Sequence, residues 1–248
     1  MKNKLKAEEL NADPAQYFDN EKGLYNPVPV FPFLTEQDVI DTVAGMIDGD
    51  ILRKEIDTLT HHSEFSDSII TNTNYVICLI RWHEYPELVK MLSIIREWAF
   101  RSEGGGVGDA DYDDFDLQSE MEQLIILNPD AEDLHGCIVG GYRFVIHNEQ
   151  TYEHGPMGDH FQFSEKFKQE KWVELGRSFI NPYIQMRDKR GSIDFVLHGL
   201  GYINAKYPET KGFFGKVTLY NIYEQQGADA FFLAVAKKYF CQSDDVFV

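Results

Sequence analysis

The segment ELVKMLSIIREWAF (87–100) sets Leu88, Met91, Leu92, Ile95 and Ala99 at helical spacing, and the apolar runs that follow it have strand character. MEQLIILN (121–128) and CIVGGYRFVIHN (137–148) are separated by Pro129, Asp130 and an acidic turn, which predicts an antiparallel hairpin. Trp172–Ile180 is a third strand-like run, followed by a turn at Asn181–Pro182, a basic loop and a helix over about Ser192 to Tyr207. GKVTLYNI (215–222) reads as a further strand and Ala228–Phe240 as a further helix. The order helix, three strands, helix, strand, helix points to an α/β fold, a mixed central sheet flanked by helices.

Upstream, Pro14, Pro27, Pro29 and Pro32 mark an irregular lead-in. Thr35 stands three residues before Asp38, a loose capping-box pattern that starts a helix ahead of VIDTVAGMI. A second helix is expected over Ile51–Leu59, while NYVICLI (74–80) fits either a buried strand or the start of a helix. The expected division is an N-terminal extension, partly helical, over residues 1–75 and one domain over residues 76–248.

With 43% hydrophobic and 14% aromatic residues the chain has ample material for a packed core. Its longest apolar runs, such as AFFLAVA (230–236), fall short of the roughly 20 residues that span a bilayer. The start MKNKLKAEEL has no apolar signal core, so a cytoplasmic protein is expected. The net charge of −18 is concentrated: residues 1–133 carry 10 Lys/Arg and 28 Asp/Glu, whereas residues 134–248 carry 13 of each. Such acidity argues against nucleic-acid binding, which needs a basic face. Cys78, Cys137 and Cys241 form no CxxC pair and suggest neither a disulfide framework nor a structural zinc site.

Lys166, Lys168, Lys171, Arg177, Arg187, Lys189 and Arg190 fall within 25 residues. They fit either an anionic ligand or a solvated face of alternating charge. Asp109, Asp111, Asp113 and Glu120 occupy positions 1, 3, 5 and 12 of an EF-hand-like loop, but Asp114 stands where that loop needs glycine. GGGVG (104–108) lacks a following GK[ST] and reads as a lid or turn rather than a phosphate-binding loop. His147, His154 and His160 are too irregularly spaced for a helical metal pair, and no metal is expected.

Read in order, Arg96 and Phe100 stand four apart on the first helix, followed by Asp113 and Asp116 in DDFD, Arg143 in GGYRF, and Glu174 and Arg177 in ELGRSFINP. This set resembles the GNAT-superfamily N-acyltransferases that use acyl carriers, the ornithine- and glycine-N-acyltransferases often labelled hemolysin-like. It is more distantly similar to the acyl-homoserine-lactone synthases. HGLGYINAKYPETKGFFGKVTLYNIY (198–223) looks like the segment these enzymes carry after the ExGRS strand, and the resemblance covers about residues 88–240. It implies a GNAT fold and no permanently bound cofactor. The implied co-substrate is acyl-acyl carrier protein or acyl-CoA, and the acceptor a small amino acid.

Carried onto this sequence, the resemblance implies that a splayed strand offers backbone amides to the carrier's pantetheine arm and that the next helix presents its N-terminus to phosphate. QMRDKRGS (185–192) precedes such a helix, but the signature Q/R-x-x-G-x-G/A is degenerate, with Arg190 where its first glycine belongs. Arg187, Lys189, Arg190 and Gly191 instead suit the phosphate and acidic surface of an acyl carrier protein. Glu174 and Arg177, three apart on a strand, lie on opposite faces unless a bulge intervenes. Glu174 would then enter the cleft as base or amine-orienting group, while Arg177 pairs with Asp113 or Asp116 on the other side. Arg96, Phe100, Asp113, Asp116, Arg143, Arg177 and Ser178 form a substrate-binding set or a structural ion-pair network. Tyr220 and Tyr223 are the candidates for protonating the leaving thiolate. Ser178 has no neighbouring histidine motif to make it a nucleophile.

The expected reaction moves a long-chain acyl group, with a 3-hydroxyl as an option, from acyl carrier protein to the α-amine of glycine or ornithine. The product is an N-acyl amino acid or aminolipid precursor, which brings peripheral membrane contact into the expectation. The alternatives are a homoserine-lactone-synthase-like enzyme, which would use S-adenosylmethionine, and a noncatalytic binding protein that retains the fold.

Overall fold

The computed structural model of the chain describes residues 18–19, 24–25, 34–62, 75–149, 151–158, 160–187, 192–216, 225–239 and 246–247. Thr35 starts the first long helix as expected. Its hydroxyl accepts from the Asp38 amide at 3.2 Å, and the Asp38 carboxylate accepts from the Thr35 amide at 2.8 Å, a complete capping box. That helix, α1 (Glu36–Met46), is followed directly by α2 (Gly49–His62).

Two-residue ladders pair β1 (Phe18–Asp19) with β2 (Leu24–Tyr25), and β6 (Gln162–Phe163) with β9 (Val246–Phe247). The main sheet has five strands: β3 (Val76–Ile80), β4 (Met121–Leu127), β5 (Ile138–Ile146), β7 (Trp172–Ile180) and β8 (Gly212–Gly215), in the order β3-β4-β5-β7-β8. NYVICLI thus resolves as a strand, and β4 and β5 form the expected antiparallel hairpin. Neighbours are antiparallel except β7 and β8, whose parallel pairing requires a crossover. The helix α6 (Ser192–Lys206) supplies it.

The helix α3 (Pro86–Ser102) opens with proline in its first turn, where a missing N–H costs nothing, and ends near Arg101, which complements the dipole. Its sequence predicts one apolar stripe. In the fold it is buried on nearly every side, because α1 and α2 cover the face turned away from the sheet. Val39, Val43, Leu52, Ile56 and Leu59 share one core with Leu88, Ile95, Cys78 and Ile125, so α1 and α2 pack mainly against α3. A second core, with Leu124, Phe144, Val173, Val196 and Ile203, lies under α6 on the opposite face. Each fully buried aliphatic or aromatic side chain here contributes about 1.5–3 kcal/mol.

Asn181–Pro182 was expected as a turn. It opens the short helix α5 (Pro182–Arg187) instead, with the Asn181 side-chain oxygen accepting from the Tyr183 amide at 3.0 Å. A short helix, α4 (Glu165–Lys168), capped by Ser164, precedes β7. The strand expected over 215–222 lies earlier in its described part, at Gly212–Gly215, and residues 217–224 lie outside the described residues. The helix α7 (Gln225–Tyr239) follows.

Candidate active site

The acidic loop after α3 is anchored from below. Glu97, buried on α3, accepts from the Val107 and Gly108 amides at 2.8 Å each and pairs with Arg101. A Cβ at Gly106, whose φ is +98°, would meet the Glu97 carboxylate at 2.8 Å, so glycine is needed there for both conformation and contact. GGGVG is therefore a clamp around a carboxylate, not a free lid.

This anchoring delivers three aspartates to three arginines. Arg96, 0% exposed, donates through Nε to Asp111 Oδ2 at 2.9 Å and through Nη2 to Asp116 Oδ2 at 2.8 Å. Arg143 Nη1 donates to Asp113 Oδ1 at 2.5 Å, and Arg177 Nη2 donates to Asp113 Oδ2 at 2.8 Å. Arg177 Nη1 lies 3.0 Å from Asp111 Oδ1, and Gln123 Nε2 donates to Asp116 Oδ1 at 2.8 Å. Burial pushes the Asp113 and Asp116 carboxyls up, but the guanidinium hydrogen bonds and charges outweigh it, holding Asp113 down at about 2 and Asp116 below its ordinary value. Burial likewise pulls Arg96 down and the aspartates more than reverse it. All five expected members, Arg96, Asp113, Asp116, Arg143 and Arg177, are brought together. Asp111, read in the sequence as an EF-hand position, belongs with them, its carboxylate taken by arginine.

The register between β5 and β7 shifts where Tyr142 faces both Arg177 and Ser178: Arg143 pairs with Gly176 and Gly141 with Phe179. Arg177 has φ +52°, a left-handed conformation that a bulge permits. The bulge removes the face reversal expected from a spacing of three. Arg177 thus joins Arg143 and Asp113 on the face that also carries Glu174, correcting the placement on opposite sides. Beside the bulge opens a cleft of about 280 Å³, lined by Phe100, Glu103, Tyr142, Ser178 and Gln185 among others. Burial pushes the Tyr142 phenol above its ordinary value, so it remains a donor at neutral pH.

Glu174 is not among the residues lining that cleft. It is 3% exposed, and its Oε2 lies 2.9 Å from Nε2 of His147, itself 1% exposed. His147 Nδ1 lies 3.1 Å from Thr151 Oγ1, and its ring stacks on Tyr152 with centroids 4.5 Å apart. The partnership of Glu174 with His147 had no sequence signal, because it depends on β5 and β7 being neighbours in register.

A model of the acetyltransferase (GNAT) domain matches residues 95–192, the span from Arg96 through the ion-pair network and the bulge to the start of α6. Two curated relatives extend the likeness. A glycine N(alpha)-acyltransferase of Phocaeicola vulgatus is 35% identical over 206 residues, covering 77% of this chain and 60% of the relative. One of Bacteroides thetaiotaomicron is 33% identical over 189 residues, covering 70% of this chain and 54% of the relative. The chain carries an acetyltransferase (GNAT) domain. It spans little more than half the length of the curated relatives that it matches. Among solved structures, an aminoglycoside acetyltransferase from an uncultured soil metagenomic sample overlays with a TM-score of 0.37 at 11% identity, covering 70% of this chain and 93% of that one.

In this GNAT chain the remaining expected residues fall as follows. Phe100 and Ser178 line the cleft. Arg187 stacks on Tyr183 at 3.7 Å and pairs with Glu36 of α1 at 3.0 Å. Lys189, Arg190, Gly191, Tyr220 and Tyr223 lie outside the described residues. Cys78 and Cys137 are buried, and burial pushes both thiols up to about 12. Glu103, Tyr142 and Gln185 were missed, for nothing in their local sequence marks them as facing the bulge at Arg177–Ser178. Among the described residues no helix is long and apolar enough to cross a membrane.

Proposed function

We propose that this chain transfers an acyl group from a phosphopantetheine thioester to the α-amine of an amino acid, with glycine as the acceptor. The observation that carries the reading is the 35% identity to a glycine N(alpha)-acyltransferase over 206 residues. In the reaction the amine nitrogen forms a bond to the thioester carbonyl carbon and the carbon–sulfur bond breaks. The acceptor ammonium loses two protons overall, one to a base before attack and one as the adduct collapses, the second replacing the proton that a tyrosine gives to the leaving thiolate. Glu174 is assigned as the base on the sequence reading; it does not line the cleft, so it would take the proton through water rather than by direct contact with the amine. The thiolate's proton comes from a tyrosine: Tyr142 by its position in the cleft, or Tyr220 or Tyr223 on the sequence reading. Arg187, Lys189, Arg190 and Gly191 are assigned to the carrier's phosphate, and acyl carrier protein is the favoured donor over acyl-CoA. The acyl group is long-chain, with or without a 3-hydroxyl, and the product is an N-acyl amino acid lipid or its precursor.

Mass spectrometry of lipids from cells producing this chain, against cells producing Glu174→Gln, tests the reading. A new N-acylglycine in the first and far less in the second, with equal thermal stability of both proteins, is expected. N-acylornithine alone would reassign the acceptor. No N-acyl amino acid despite folded protein would overturn the reaction.

A further inference from the structure

Of the described residues that line the cleft, Glu103 is the one that carries a charge; the others are Ala99, Phe100, Ser102, Tyr142, Ser178, Phe179, Ile180, Gln185 and Val196. Glu103 is also placed where stability does not want it. It is the C-cap of α3, its amide donating to the Phe100 and Arg101 carbonyls, at the negative end of a 17-residue helix whose last turn favours cations. Arg101, in that last turn, is buried with Glu97. Glu103, by contrast, is an exposed residue and lines the cleft.

A carboxylate at a helix C-terminus beside neutral donors makes a defined environment. One end of the cleft carries negative charge reinforced by the helix carbonyls, and Ser178, Tyr142 and Gln185 bring hydroxyl and amide groups. That pattern is complementary to a small zwitterion, its ammonium at Glu103 and its carboxylate toward the neutral donors. We infer that Glu103 is the residue that binds the acceptor's α-ammonium, next to the bulge at Arg177–Ser178. This deepens the proposed function and rests on it for the identity of the acceptor. Glu174, buried with His147, keeps the separate role assigned above.

Glycine binding to the purified full chain, measured by calorimetry, tests this without requiring turnover. Glycolic acid, which replaces the ammonium by a hydroxyl, is the control ligand. Wild-type protein is expected to bind glycine well above glycolic acid, and Glu103→Gln to weaken glycine binding roughly ten- to hundredfold, the range of a charge-assisted hydrogen bond, with glycolic acid unaffected. Glu103→Asp should recover part of the loss. In turnover assays Glu103→Gln should raise the KM for glycine far more than it lowers kcat. Because Glu103 is exposed, its thermal stability should match wild type. Unchanged glycine affinity in Glu103→Gln, or no preference for glycine over glycolic acid in wild type, would overturn the assignment. A wild-type protein that binds glycine through Glu103 yet forms no N-acyl product would leave this inference standing and remove the proposed reaction.

Discussion

Arg177 donates to Asp113 at 2.8 Å from a backbone held at φ +52°, so the carboxylate that neutralises this arginine also holds the bulge that shapes the cleft. Both partners are part-exposed, and the second oxygen of Asp113 is taken by Arg143. A single carboxylate thereby links the acidic loop to two adjacent strands.

This link has a pH dependence. The folded-state value of Asp113 lies at about 2, below the ordinary 3.8. A lowered carboxylate contributes its full stabilisation above the unfolded-state value and loses it as pH falls through the folded one. Stability should therefore decline between about pH 4 and pH 2. Urea unfolding midpoints across that window should fall more steeply in wild type than in Asp113→Asn.

Arg96→Met leaves the carboxylates of Asp111 and Asp116 buried without their main counter-charge. A loss of about 3–5 kcal/mol is expected, a large share of a typical domain's stability. Chemical denaturation measures it. A loss below about 1 kcal/mol would mean that water reaches the network.

Tyr142→Phe removes one hydroxyl from the cleft and leaves the packing of the ring. If Tyr142 supplies the thiolate's proton, kcat should fall on the order of a hundredfold. Melting temperature should stay within a degree or two. An unchanged kcat would move the role to Tyr220 or Tyr223, which the matching phenylalanine variants would distinguish.

Gly155→Ala places a methyl 2.5 Å from His147 Cε1 and 2.7 Å from Glu174 Oε2. The segment over the pair must shift, costing about 1–3 kcal/mol. If Glu174 is the base, turnover falls further than this destabilisation explains. Parallel melts and rate measurements separate the two effects.

The elements whose signals are local were legible. The periodicity of α3, the apolar runs of β4 and β5, and the capping pattern at Thr35 each lie within one short stretch of chain. The short helix at Pro182 was legible in principle, since asparagine before proline is a helix-start signal as well as a turn signal. Most of the ion-pair network was legible only through a family resemblance, and Asp111 was weighed only as an EF-hand position and not placed in the network, because a run of aspartates reads alike toward calcium and arginine. The bulge at Arg177 was not legible. In ELGRSF glycine suits a left-handed conformation best, yet Arg177 takes it, and from there its guanidinium reaches two carboxylates. Likewise His147 and Glu174 are 27 residues apart and meet through register alone.

The origin of the six network side chains also orders events during synthesis. Arg96 and the three aspartates leave the ribosome first, and Arg143 and Arg177 follow, the last of them 61 residues after Asp116. At a translation rate of about 5–20 residues per second, the aspartate loop spends seconds with one cation for three anions. Self-repulsion keeps that segment from settling early. Its closure waits for β7, so pairing of β7 with β5 and setting of the acidic loop become one late event.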